Sequence, residues 1–192
     1  MGMARSLIAA LSAVVLAAAS VAAHVTVPTE FKDVVVDASL VVRGRVTDVR
    51  AIRIDDGGVE SVATFQVASV LKGATADQFV SVRVPGGVIG RYRFVMTGAP
   101  RFEVNQQAVV FLKRDGNNNW RLVGLSQGVY RVQTDARTGR ATVETPVVGG
   151  RTTAATGQIV RGDVRRKPMD VQEFDSFVRL MVASQARTGG GR

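Results

Sequence analysis

Alternating hydrophobic and polar positions dominate the chain from Leu40 onward. Leu40, Val42 and Val46 alternate with polar positions such as Arg43 and Arg45. Successive side chains of a β-strand point to opposite faces, so this two-residue period predicts a strand with one buried face. Similar segments follow, separated by clusters of Asp, Asn, Gly and Pro. The pattern predicts about eight strands, at 40–54, 62–71, 79–84, 92–96, 108–113, 120–123, 129–133 and 140–143.

These strands are short, and no long helix separates them. We therefore expect a mainly β fold, either a single antiparallel barrel (OB-like) or a sandwich, rather than a doubly wound sheet.

Helical spacing replaces the strand period at both ends of this region. The first such segment has apolar residues at Phe31, Val34, Val35 and Ala38. The second, 169–185, places on one face Val171, Phe174, Phe177, Val178 and Met181. The pattern predicts a short N-terminal helix and a C-terminal amphipathic helix. The apolar face of the second is expected to pack on the domain's own core, with a partner or a membrane surface as the alternative.

The N-terminus has the three-part order of a secretory signal peptide. A short positive head is followed by an apolar stretch from Leu7 to Ala19 and by small residues up to Ala23. We expect cleavage after residue 23, with an uncleaved membrane anchor as the alternative. The predicted organisation is a signal peptide (1–23), a barrel-like domain (24–146), a basic linker (147–168), a helix (169–185) and a disordered tail (186–192). The mature protein would be periplasmic or extracellular, without a membrane span.

Charge and cysteine content narrow the function classes. The chain has a formal net charge of +9 and no cysteine, so we expect a domain without disulfides and with acidic partners. An exported protein seldom meets nucleic acid, so an exported protein or an anionic polysaccharide is the expected partner. The candidate contact residues are Arg43, Arg45, Arg91 and Arg93. The alternative is that the arginines are spread over the solvent-exposed faces of the strands and bind no partner.

The candidate catalytic residues lie in sequence contexts that do not support catalysis. Gly124 to Gly128 spells G-x-S-x-G, but the nucleophile Ser126 would need a strand–turn–helix setting and a later histidine, whereas a strand is predicted to follow. The only histidine of the chain is His24. Asp55, Asp56 and Glu60 fall in a predicted exposed turn, where nothing would raise a carboxyl pKa. We expect no enzymatic activity and no cofactor.

His24 is the one candidate metal ligand. Signal cleavage before it would leave an α-amine and an imidazole on one residue, which together can bind Cu(II) or another transition metal. The alternative is that this histidine only marks where the signal ends.

Two segments resemble the opening of netrin-like modules: 37–46, with the sequence DASLVVRGRV, and 65–73, with the sequence FQVASVLKG. Netrin-like modules are OB-type barrels and include the tissue inhibitors of metalloproteinases. The resemblance implies a five-stranded barrel with flanking helices and a protein-binding role. In those inhibitors an N-terminal cysteine presents its amine to the protease zinc, and here His24 would take that place. Two functions are therefore expected: a non-enzymatic binding module, or alternatively a metalloprotease inhibitor acting through His24.

Overall fold

The computed structural model describes residues 29–55, 57–146, 151–152, 159–160 and 168–189. The described part is mainly β, with two helices. The helices are α1 (Phe31–Asp37) and α2 (Val171–Gly189). The strands are β1 (Leu40–Arg53), β2 (Val59–Lys72), β3 (Phe79–Pro85), β4 (Gly87–Ile89), β5 (Tyr92–Phe94), β6 (Gln107–Arg114), β7 (Trp120–Leu122), β8 (Val129–Thr134), β9 (Ala141–Glu144), β10 (Arg151–Thr152), β11 (Ile159–Val160) and β12 (Met169–Asp170).

Five strands close into a barrel in the order β1, β2, β3, β7, β6 and back to β1. The barrel alternative is thus confirmed over the sandwich. The pairings around the ring are antiparallel except for β3 with β7, which run parallel. Strands β8, β9 and β12 extend the sheet outward from β6. The hairpin of β4 and β5 forms a separate two-stranded sheet.

The barrel wall separates two hydrophobic clusters. One fills the interior, where Phe65 packs edge-on against Phe102 with ring centroids 5.1 Å apart. The other lies outside β6 and β8, where Phe111 and Tyr130 meet the two helices. Strand β6 contributes to both clusters, which explains its continuous apolar sequence.

Helix α2 packs on the outer cluster. Its Phe174 and Val178 are buried against α1 and the sheet, and Arg43 Nε on β1 lies 3.0 Å from Asp175 Oδ2. The predicted packing on the domain's own core is therefore confirmed. In the described part of the chain, no helix is both long and apolar enough to cross a membrane.

The C-terminal boundaries differ from the prediction. Met169 and Asp170 pair with β9 as a short strand, so the helix begins at Val171. It continues to Gly189, so 186–189 are helical rather than part of a disordered tail. Within the predicted linker 147–168, the short strands β10 and β11 pair with each other. The predicted signal peptide and His24 lie outside the described residues.

Candidate binding surface at the β4–β5 hairpin

The β4–β5 hairpin reverses over two residues, Gly90 and Arg91. Gly90 has φ +57°, a value that glycine adopts at the first position of such turns without steric cost. The base of the hairpin is tied to the barrel by two hydrogen bonds. The Gly86 N–H donates to the Val59 carbonyl oxygen at 2.8 Å, and Ser61 Oγ donates to the Gly86 carbonyl oxygen at 2.8 Å. The hairpin is thus held in a fixed position at one end of β2 and β3.

Large apolar side chains are exposed along the hairpin and just after it. Between residues 88 and 96, five of them are at least 50% exposed: Val88, Tyr92, Phe94, Val95 and Met96. Contiguous exposed apolar patches on a folded domain mark interaction sites more often than scattered single residues do. We call this patch, together with Arg91 and Arg93, the hairpin surface.

A cavity of about 720 Å³ opens beside the hairpin surface. It is lined by parts of β1 and β2 and by the stretches 84–88 and 93–102. Its volume lies within the range of about 300–1,000 Å³ that is usual for ligand pockets. Phe102 belongs to both the cavity wall and the barrel core. The wall therefore has a rigid side, formed by the core, and an exposed side, formed by the hairpin.

The wall of the cavity carries positive charge and no acidic side chain. Arg93 and Arg101 line it, and none of the other lining residues is Asp or Glu. Arg91 lies at the turn, where its Cζ is 5.3 Å from the centre of the Tyr92 ring, within cation–π distance. Among the described residues, neither Arg91 nor Arg93 takes part in an ion pair. Both charges are thus available to an acidic ligand.

The four arginines predicted to contact a partner do not form one patch. Arg91 and Arg93 lie on the hairpin. Arg45 is exposed on β1 opposite Gln66 and Gln107, away from the cavity lining. Arg43 is only 25% exposed and pairs with Asp175, so it fastens α2 to the barrel. The apolar members of the surface were missed, although the alternation of Arg91, Arg93 and Val95 with Tyr92, Phe94 and Met96 was visible in the sequence.

The prediction that Glu60 lies in an exposed turn is wrong. This residue lies on β2, is only 5% exposed, and forms a 2.5 Å ion pair with Arg121 Nη1. Arg121 Nε in turn lies 2.8 Å from Asp115 Oδ2. The hydrogen bond from Arg121, followed by the backbone N–H of Asn119, lowers the pKa of Asp115 well below its usual range. The two acids and Arg121 form an internal ion-pair network that joins β2, β7 and the β6–β7 turn.

The G-x-S-x-G segment is a structural turn, as interpreted from the sequence. Residues Leu125–Gly128 form a 3-10 helix between β7 and β8, and the Ser126 N–H donates to the Gly98 carbonyl oxygen at 3.0 Å. The part of the chain that the structure describes contains no histidine to activate this serine. Nor does it contain a group of three or more His, Asp or Glu side chains that could hold a metal ion. Metal binding and protease inhibition through His24 stay predictions.

The chain matches no protein-family model, and comparison with curated proteins gave no significant match.

Proposed function

We propose that the protein is an exported, non-enzymatic binding module that recognises an acidic protein through the hairpin surface. The observation that carries the proposal is the exposure of five large apolar side chains between Val88 and Met96, beside a cavity and two arginines that form no ion pair with another described residue. Burying one such half-exposed side chain against a partner contributes on the order of 1 kcal/mol.

The residue types favour a protein over a polysaccharide as the partner. Tyr92, Phe94, Met96 and the two arginines are of the kinds enriched in the buried centres of protein interfaces. An anionic polysaccharide would satisfy the arginines but offers few apolar groups to cover Val95 and Met96.

Charge favours an acidic partner. Arg93 and Arg101 line the cavity without any acidic lining residue, Arg91 lies at the turn of the hairpin, and the chain as a whole carries +9. Complementary charge speeds association and excludes basic competitors, while the apolar contacts supply most of the affinity. The hydrogen bonds at the base of the hairpin support the proposal further, because a surface held in place loses less conformational entropy on binding.

The test is capture of the partner followed by charge reversal. Proteins of the exported fraction that bind the immobilised full-length protein are identified, and their affinity is measured for the wild type and for two double variants with equal change in net charge. The variant Arg91→Glu/Arg93→Glu should weaken binding by about tenfold to a hundredfold. The matched control, Arg45→Glu/Arg137→Glu, alters exposed arginines elsewhere and should change the affinity less than about threefold.

Equal weakening by both double variants would mean that only net charge matters, and the hairpin surface would be rejected. Turnover of any substrate in a hydrolytic or oxidative panel would reject the non-enzymatic character instead.

A further inference from the structure

Strand β5 leaves one edge of the hairpin open. In the described part of the chain β5 pairs with β4 alone, and all three of its residues are exposed. An unpaired strand edge presents a row of N–H and C=O groups to which another extended chain can pair.

The register identifies which backbone groups face that edge. Ile89 and Tyr92 flank the two-residue turn and are opposite each other, so they form the hydrogen-bonded pair that closes it. Hydrogen-bonded and non-hydrogen-bonded pairs alternate along an antiparallel ladder. The next pair, Val88 and Arg93, is therefore of the non-bonded kind, and the N–H and C=O of Arg93 point away from β4. No described residue outside the hairpin forms a backbone hydrogen bond with Arg93.

The cavity borders on β5 as well as on β4. Arg93 and Phe94 line it, and the chain that follows β5 contributes Val95 and Met96. Side chains of an added strand would point alternately to its two faces. Side chains at every second position would therefore lie on the face of Phe94, where apolar groups can contact the cavity wall, while carboxylates at the intervening positions would lie on the face of Arg91 and Arg93.

We propose that an extended acidic segment of the partner protein adds to β5 as a third strand of the hairpin, with its apolar side chains in the cavity. This rests on the proposed function and specifies how the partner is held. Strand addition draws affinity from main-chain hydrogen bonds and specificity from pockets for alternate side chains. Both features occur together at this hairpin, and the positive charge selects acidic segments.

The probe is a fluorescent, capped nonapeptide of alternating Val and Glu, measured by anisotropy against the full chain. Two versions carry N-methyl groups, one on the amides of all Val residues and the other on the amides of all Glu residues. Only one of these two sets of amides can face β5. One methylated peptide should therefore bind at least about tenfold more weakly than the parent, and the other should bind within about threefold of it.

Two variants at one position separate the backbone from the side chain. Arg93→Ala removes the charge but keeps the N–H, whereas Arg93→Pro removes both. Proline is tolerated at strand edges where the N–H is unpaired, so the circular dichroism spectrum and the thermal midpoint should match those of Arg93→Ala. The proline variant should bind the parent peptide about threefold to tenfold more weakly than the alanine variant.

Strand addition is overturned if both methylated peptides bind as the parent does, or if the proline and alanine variants have equal affinity. It is also overturned if the parent peptide does not bind at millimolar concentration. The proposed function survives each of these results, because it depends on the separate test of charge reversal with the captured partner.

Discussion

Truncation of Phe174 to alanine tests whether α2 belongs to the core of the domain. Phe174 is 6% exposed. Its ring centroid lies 5.8 Å from that of Phe31 on α1 and 5.1 Å from that of Tyr130 on β8. The substitution therefore removes a buried ring that contacts both α1 and the sheet. Phe177, one turn later, is the matched control, because it is 42% exposed and stacks on Phe31 alone among the described aromatic rings.

The expected costs follow from burial. Replacing a buried phenylalanine by alanine removes transfer free energy and leaves a cavity, at about 3–5 kcal/mol. Phe177 has less surface to lose and one ring contact, so Phe177→Ala should cost about 1–2 kcal/mol. The two variants should thus differ by about 1–4 kcal/mol. In a domain of this size, Phe174→Ala should lower the thermal midpoint by about 10 °C.

Urea denaturation followed by tryptophan fluorescence measures both variants on the same scale. The dependence of the free energy of unfolding on urea should not change, so the shift in midpoint reports stability directly. If Phe174→Ala costs less than about 1 kcal/mol, or no more than Phe177→Ala, then α2 does not pack on the core in solution. Its apolar face would then be open to a partner or a membrane surface.

Three further predictions concern the internal network and the turn. The pKa of Asp115 is lowered by Arg121 and by backbone N–H groups, so stability that is present above about pH 4 should be lost as acidification protonates this group. Asp115→Asn should therefore reduce the change of the urea midpoint between about pH 4 and about pH 2. If the urea midpoint of the variant depends on pH as that of the wild type does, this explanation is contradicted. Gly128→Ala would place a Cβ against the Val123 carbonyl oxygen and should cost about 1–3 kcal/mol in urea denaturation. Ser126→Ala should leave the urea midpoint and the affinity for the partner unchanged. If the wild type hydrolysed a substrate and this variant did not, Ser126 would be a nucleophile after all.

The fold was largely predictable because one face of most strands is buried. The two-residue period located β1 and the return strand β2 closely, and helical spacing located α1 and α2. Ring closure by β1 with β6 and the parallel pairing of β3 with β7 were not predictable in this way, since they join segments far apart in sequence.

The candidate site was predictable only in part, because contacts between residues far apart in sequence decide which side chains are exposed. Charge alone suggested all four arginines, yet Arg43 is engaged by Asp175, which lies 132 positions away. Glu60 follows an exposed turn in sequence, but Arg121 and Arg83 from other strands enclose it. Period-two alternation assigns one face of a strand to a core, so Tyr92 and Phe94 resembled core residues. That both faces of β5 are exposed became apparent only in the structure.

The most direct test of the hairpin surface is site-specific photo-crosslinking in the cell that produces the protein. A benzoylphenylalanine is placed at Tyr92 or, as the matched control, at Phe79, an aromatic residue that is 49% exposed on β3. Binding through the hairpin surface predicts a discrete crosslink to an acidic protein from position 92 and none from position 79. Crosslinks of equal yield from both positions, or from position 79 alone, would contradict the proposed binding surface.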